Sequence, residues 1–363
     1  MKRLLLGLTL TLLGSSLASA AEVRRQAFTA QFGAFTSRGE VTLPAGVPGP
    51  LPTVLLIHGS TPMDKDATVA FGDQVRSQIF RQLADTLSAQ GFAVIRYDKR
   101  FAGDAAQYAG ATLQDFVADA RTALQAARQV PGVDPARVFL YGWSEGSGVA
   151  AQLALSESGV QGLIVQGPVA RSYAQTLAGQ FSRVTLPYLR AYAPSVTVGV
   201  AELLEAYAGS GGANAKGGLF FFWDPTSTPT QPVLRRQMDV NGDGRLDLDQ
   251  EAAPFVNAAY ANPLLLGSYA PGKALPGLTE LAPRLKVPVL ILQGEQDANI
   301  PVNDARELDA ALARAGHTDH TLQVYPGLGH SLGAASRVID DDFRPMQVRP
   351  LNDLTSWLTA HLR

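Results

Sequence analysis

The sequence predicts an α/β protein: a mostly parallel sheet with helices on both faces and a largely helical insertion. Three observations predict it. Short apolar runs ending in glycine or a turn alternate with helical spacing along most of the 363 residues. That alternation stops at about Pro168 and resumes after Pro283. The hydrophobic content, 46%, is enough for one large core plus the core of an inserted subdomain.

The elements follow in order. Ala27 to Leu43 reads as two strands and a turn, an antiparallel start. "TVLLIHG" (Thr53 to Gly59) is a short apolar run closed by glycine, which suits a buried strand. Ile79, Phe80, Leu83 and Leu87 recur at helical spacing, and Gly91 stops that helix. "FAVIRYD" (Phe92 to Asp98) is the next strand. Thr112 and Asp115 form a capping box ahead of an apolar face of Leu113, Phe116, Val117, Ala120 and Leu124. "RVFLYG" (Arg137 to Gly142) and "GLIVQG" (Gly162 to Gly167) are strands, with a helix of small residues between them. Beyond the insertion come a strand at Val287 to Gly294, a helix at Asp304 to Ala315, a strand at Thr321 to Gly327 and a closing helix at Leu351 to Leu362. In such sheets ligands bind beyond the carboxyl ends of the strands, so the insertion is expected to act as a lid.

A net charge of −2 provides no basic footprint for nucleic acid. "MKRLLLGLTLTLLGSSLASA" has the anatomy of an export signal: Lys2 and Arg3, the apolar run Leu4 to Leu13, then a small-residue cleavage site at Ala18-Ser19-Ala20. The mature protein is expected in the periplasm or outside the cell, without stable membrane insertion, since the apolar run is shorter than the ~20 residues a span requires. There are no cysteines, which excludes disulfides and thiolate catalysis.

Gly142-Trp143-Ser144-Glu145-Gly146 is a G-x-S-x-G set directly after a strand and before a helix. A serine hydroxyl is a weak nucleophile and must be held exposed beside a base, which a sharp strand-to-helix turn achieves. Of the five histidines, His317 and His320 precede their strand and belong to the opposite sheet edge. His361 lies in the last helix, where solvent is its expected surrounding, and His58 precedes the glycine of an oxyanion turn. His330, in "PGLGHSL", follows its strand at the same edge as Ser144 and is the expected base. Asp297, in "LILQGEQDANIP", is the expected acid that orients it, with Glu295 the fallback. The backbone N–H groups of Glu145 and Ser60 are the expected oxyanion donors.

With these motifs in place the chain resembles the α/β-hydrolase-fold serine hydrolases, and among them exported bacterial esterases related to the serine aminopeptidases. "LLIHGSTPMDKD", "GFAVIRYDKR", "YGWSEGS", "LQGEQDANIP" and "YPGLGHSL" carry the resemblance, over roughly residues 51–167 and 287–363. Thr61 departs from it, standing where the family usually has glycine, which implies a tighter oxyanion turn. The implied domains are an α/β-hydrolase core at 21–167 and 284–363 and a lid at 168–283. The implied activity is hydrolysis of a small ester, or of a short acyl or peptidyl substrate, without a catalytic cofactor. An aminopeptidase would need a carboxylate near the elbow for the substrate amine, and Glu145 or a lid carboxylate is the candidate. A reading of another class is a calcium-responsive binding protein on an inactive hydrolase scaffold.

The last reading rests on "DVNGDGRLDLDQE" in the insertion. Counted as a twelve-residue calcium loop, it offers Asp239, Asn241, Asp243, the carbonyl of Arg245, Asp247 and Gln250, with Gly244 at the turn. Position twelve should be a bidentate glutamate, and Glu251 falls one residue late. "PVLRRQM" and "EAAPFVNAAY" are the expected flanking helices, and a structural calcium ion is the expected ligand.

Overall fold

The computed structural model describes residues 22–193, 195–262, 265–270 and 272–362; the expected export signal, residues 1–20, lies outside them. An eight-stranded sheet forms the centre. Its strands are β1 (Val23–Phe32), β2 (Phe35–Pro44), β3 (Leu51–Ile57), β4 (Ala93–Tyr97), β5 (Val133–Trp143), β6 (Val160–Gln166), β7 (Val289–Gly294) and β8 (His320–Tyr325). The spatial order is β1-β2-β4-β3-β5-β6-β7-β8. β1 pairs antiparallel with β2, and β2 with β4; every later pairing is parallel.

The central strands are continuously apolar because both of their faces are covered. Every residue of β3 is buried. Its Val54 and Leu56 enter one core with Phe80 and Leu83 of α1 (Ile79–Ala89) and Leu354 of the closing helix Val348–Ala360. Leu55 and Ile57 enter the opposite core with Phe116 of α2 (Leu113–Ala127), Val149 of α3 (Gly146–Ser156) and Leu308 of α4 (Val302–Arg314). The Thr112–Asp115 capping box is formed as the sequence predicts.

The segment between β6 and β7 folds over the carboxyl ends of the strands and has its own apolar core, which includes Phe181, Leu189, Leu203, Phe222 and Leu246. Ala298, from the loop after β7, is buried in that core too, so cap and sheet share a side chain there. Phe222 is completely buried, whereas Phe220 is 61% exposed. The aromatic run therefore divides between cap core and cap surface.

Two features differ from the sequence reading. A hairpin of Thr68–Phe71 and Gln74–Gln78 was not legible, because its half-exposed strands carry little apolar alternation. "PVLRRQM" is not a helix. It is drawn out to pair with the aromatic run, with Asp224 N–H donating to Val233 O (2.9 Å) and Arg235 N–H to Phe222 O (2.8 Å). Only the second flank of the Asp-rich loop is helical, as a π-turn, Leu248–Ala252, continued by the helix Ala253–Ala261.

Candidate active site

β5 runs straight into the G-x-S-x-G turn. Ser144 sits at φ 55°, in the left-handed region. A non-glycine residue there is strained, and the surroundings must enforce it. They do so by close packing. A Cβ on Gly142 would meet the carbonyl oxygen of Gly146 at 2.3 Å, and one on Gly146 would meet that of Ile57 at 2.3 Å. Ser144 N–H is held by Gln166 O at 2.8 Å. The turn presents Ser144 to a cavity of about 300 Å³ whose wall also contains Trp143, Gly59, Ser60 and His330.

Asp297 and His330 lie past the ends of β7 and β8 and meet there. His330 Nδ1 is 2.8 Å from Asp297 Oδ2, and the two are 2% and 1% exposed. Asp297 Oδ1 accepts the N–H groups of Asn299 and Ile300, each at 2.7 Å, and Gln293 Nε2 donates to Oδ2 at 3.1 Å. With Nδ1–H donating to Asp297, Nε2 is the nitrogen left to accept a proton. Glu295, the fallback acid, is exposed.

Three supports were missed by the sequence reading. The carbonyl of His330 accepts from Gln166 Nε2 (2.7 Å) and Trp143 Nε1 (3.2 Å). Asp341 Oδ2 accepts both His330 N–H (2.8 Å) and Ala298 N–H (2.9 Å), stapling the histidine loop to the acid loop. Burial, and then the charge of Asp297, raise the Asp341 carboxyl to about 6. The cap supplies the third. Arg183 donates to the carbonyls of Asp297 (2.8 Å) and Ala298 (3.0 Å), Asn214 to Ala298 (2.8 Å) and Gln180 to Asn299 (3.1 Å). None had a local signal: Asp341 is the middle of three aspartates, and the cap residues lie where alternation fails.

A serine hydroxyl, a buried Asp–His pair and a strained elbow on one cavity are equipped for acyl transfer. The family model for "Serine aminopeptidase, S33" matches residues 69–334. The chain belongs to this family. It is a serine hydrolase of the α/β-hydrolase fold. Over 143 residues it is 31% identical to Esterase EstD of Thermotoga maritima, covering 39% of this chain and 32% of that protein. Over 127 residues it is 35% identical to the monoacylglycerol lipase of Mycolicibacterium smegmatis, covering 32% of this chain and 41% of that one. These matches therefore span well under half of either relative. Among solved structures, the proline iminopeptidase of Mycobacterium smegmatis superposes with a TM-score of 0.54 at 16% identity, over 93% of this chain and 98% of that one. The acylaminoacyl peptidase of Pyrococcus horikoshii gives 0.52 at 13%, over 94% and 42%. At such identities the likeness is one of fold.

In this S33 hydrolase the other histidines are structural. His58 is buried between Phe80 and Tyr97, and burial, then Lys99, push its pKa down to about 3. It stays neutral, with Nε2 3.0 Å from Asp64 O. His317 and His320 take separate partners, Val287 O and Asp309. His361 is not solvated as expected: it stacks on Trp357 at 4.1 Å and is part-buried. Asp98 and Arg100 bind loops, through Arg38 and Asp119.

Ser60 lines the cavity, and Glu145 follows the nucleophile with its side chain 1% exposed. Glu145 Oε1 holds Lys99 Nζ at 2.5 Å, and Oε2 accepts from Tyr269 of the cap at 2.6 Å. Both oxygens are thus spent, which corrects the expectation that this carboxylate could hold a substrate amine. Thr61, at φ 77°, adopts the conformation glycine would take more cheaply.

The metal-like loop is closed on its own amides. Asp239 accepts from Gly242 N–H (2.8 Å) and Gly244 N–H (3.0 Å), Asn241 from Asp243, Asp243 from Arg245, and Asp247 from Asp249 and Gln250. Arg245 turns its side chain to Thr197 and Glu202. Gln250 is exposed and Glu251 faces inward, accepting from Val240 (2.8 Å), Asn241 (3.3 Å) and Asp247 (2.8 Å). The wide π-turn takes up the one-residue excess, so Glu251 replaces Gln250 at the closing position. Among the described residues no group of three or more His, Cys, Asp or Glu is arranged to hold a metal.

Proposed function

We propose that the protein hydrolyses carboxylic esters through an acyl-enzyme on Ser144. His330 Nε2 takes the hydroxyl proton as Ser144 attacks the acyl carbon, and Asp297 stabilises the imidazolium that forms. The N–H groups of Glu145 and Ser60 receive the charge that develops on the acyl oxygen. His330 returns the proton to the departing alcohol, then activates the water that releases the acid.

The observation that carries ester over aminoacyl amide is the charge of the cavity. Apart from His330, its wall consists of uncharged side chains such as Met63, Val69, Trp143, Asn299 and Phe343. An aminopeptidase needs a carboxylate for the substrate ammonium, and Glu145 is occupied by Lys99 and Tyr269. Supporting an apolar acyl group is a second cavity of about 460 Å³ in the cap, lined by Phe220, Phe221, Phe255, Tyr260 and Tyr269. The curated relatives are named an esterase and a monoacylglycerol lipase, which agrees with this choice.

The test compares p-nitrophenyl esters of short and long acyl chains with aminoacyl p-nitroanilides, alongside fluorophosphonate labelling. Esters should turn over fastest, and labelling should vanish in Ser144→Ala. A preference for aminoacyl amides would overturn the ester reading, and labelling that survives the substitution would overturn Ser144 as nucleophile.

Two finer points belong to the same proposal. Export rests on the composition of residues 1–20, and N-terminal sequencing of protein recovered from an expressing bacterium tests it: a start near Ala21 is expected, and a retained Met1 contradicts it. Structural calcium in the 239–251 loop rests on the alternation of oxygen-bearing side chains alone, with Glu251 in place of Gln250.

A further inference from the structure

Lys99 follows β4 and is 4% exposed, an unusual place for an ammonium. Each of its three N–H bonds has an acceptor: Gly59 O at 2.6 Å, Glu145 Oε1 at 2.5 Å and the Tyr108 hydroxyl at 2.9 Å. The Phe116 ring lies 4.3 Å away as a cation–π partner. Nothing in hydrolysis through Ser144 calls for a buried lysine as acid or base.

Its position relative to two peptide groups supplies a reason. The Gly59 carbonyl and the Ser60 N–H belong to one trans peptide, in which C=O and N–H point in opposite directions. An ammonium fixed on the carbonyl therefore turns the Ser60 N–H away from itself, on a loop that forms the wall shared with Ser144. A second of the three acceptors, Glu145, is the residue whose own N–H is the other expected oxyanion donor. One ammonium thus ties together both residues that supply the donors.

The cap closes the arrangement. Tyr269 OH donates to Glu145 Oε2 at 2.6 Å and lies 3.3 Å from Ser60 Oγ. Tyr173 donates to the Glu145 carbonyl at 3.0 Å, and its ring stacks on Tyr269 at 4.5 Å.

We propose that Lys99 is a positioning residue for the oxyanion hole, holding the Gly59–Ser60 peptide and Glu145 in register, and that Tyr269 latches this assembly to the cap. The proposal rests on Ser144 as nucleophile but not on the nature of the natural substrate. It predicts that losses fall on the transition state, where the oxyanion exists, and spare ground-state binding.

The experiment uses Lys99→Met, the charge-neutral pair Lys99→Met/Glu145→Gln, and Tyr269→Phe. Removing Lys99 alone strands a buried carboxylate and invites unfolding, which the paired variant avoids. Tyr269→Phe deletes one hydroxyl and leaves the buried ion pair whole. The readouts are kcat and KM on a p-nitrophenyl ester, affinity for an arylboronate that forms a tetrahedral adduct on Ser144, fluorophosphonate labelling rate, and Tm. Removal of Lys99 should lower kcat about 10²-fold with KM within about threefold, and boronate affinity and labelling rate should fall in parallel. Tyr269→Phe should lower kcat by about tenfold in the same pattern. The labelling rate needs no ester turnover, so a failure of the ester reading stays distinguishable from a failure of this one. A folded double variant with kcat and labelling within about threefold of wild type overturns the role of Lys99, as does a rise in KM at unchanged kcat. Should neither Lys99 variant fold, Tyr269→Phe decides: unchanged boronate affinity and labelling rate overturn the assembly.

Discussion

Two loops in this protein close an aspartate on their own backbone to different ends. In the loop at 294–301, Asp297 spends one oxygen on its own backbone, accepting Asn299 and Ile300 N–H, and turns the other to His330, with Gln293 Nε2 donating to it as well. In the loop at 239–251, Asp239 spends both oxygens on Gly242 and Gly244. Self-capping is available to both sequences, because an aspartate can accept from amides two or three residues ahead, and in the 239–251 loop the turn also brings the Gly244 amide back to Asp239. The difference lies in the surroundings. The acid loop enters the cap core through Ala298, is gripped by Arg183 and Asn214, and faces a buried histidine. The cap loop lies at the surface and is anchored by a two-residue strand pairing and by Glu251. A carboxylate becomes chemically useful when one oxygen is fixed and the other is left over, aimed and desolvated.

The largest expected effect contrasts the two aspartates directly. Asp297→Asn should lower kcat/KM for an ester by about 10⁴-fold, by favouring the wrong imidazole tautomer. Asp239→Asn should leave it within about threefold. Equal losses would erase the distinction. The histidine side gives the next test. A Cβ at Gly167, itself at φ 57°, would meet His330 Cε1 at 2.7 Å. Gly167→Ala should displace the ring and reduce kcat by about 10²-fold, with much less effect on KM. Unaltered kcat would mean the ring has slack that the packing denies.

Asp341 sharpens the comparison through pH. Its carboxyl titrates at about 6 in the folded state and near ~4 when unfolded. The folded state therefore binds more protons in that window, and the associated stability is lost as pH rises through about 6. Asp341→Asn can still accept both N–H groups but has no charge to bury. Relative to wild type its stability should rise by about 2 kcal/mol between pH 4 and 7, read by urea unfolding. A pH-independent difference would remove the carboxylate pair as its cause. In the cap loop, Glu251→Ala should cost about 1–2 kcal/mol by orphaning three amides, and Gln250→Ala less than about 0.5. Reversed magnitudes would restore Gln250 to the closing position. The smallest effect is that of calcium. A Kd near ~1 mM implies about 1 kcal/mol of stabilisation at a few millimolar ion, seen as a small rise in Tm that EDTA abolishes. An unchanged melting curve would assign the loop to backbone bracing alone.

Much of the site was legible because it is built on periodic elements. Strand direction places Ser144, Asp297 and His330 at one sheet edge without any contact being known, since side chains just past parallel strands share that edge. The same reasoning set aside His317 and His320. Position along the chain could not reveal Asp341, Gln166 or Arg183, which act through hydrogen bonds between segments far apart in sequence. It also left Glu145 open as a partner for a substrate amine, a role that the bonds of both its oxygens to Lys99 and Tyr269 remove.

By itself, then, the sequence determined the alternation of strand and helix, the elbow, the order Ser144, Asp297, His330, and an Asp-rich loop with one residue too many, since each is a matter of spacing along a single element or turn. Only the tertiary structure decided that Lys99 is sealed against Glu145, that the π-turn brings Glu251 inward, and that the cap grips the acid loop. These depend on burial. A charge is cheap in water and costly in a core, so its partner is chosen by the fold that removes the water.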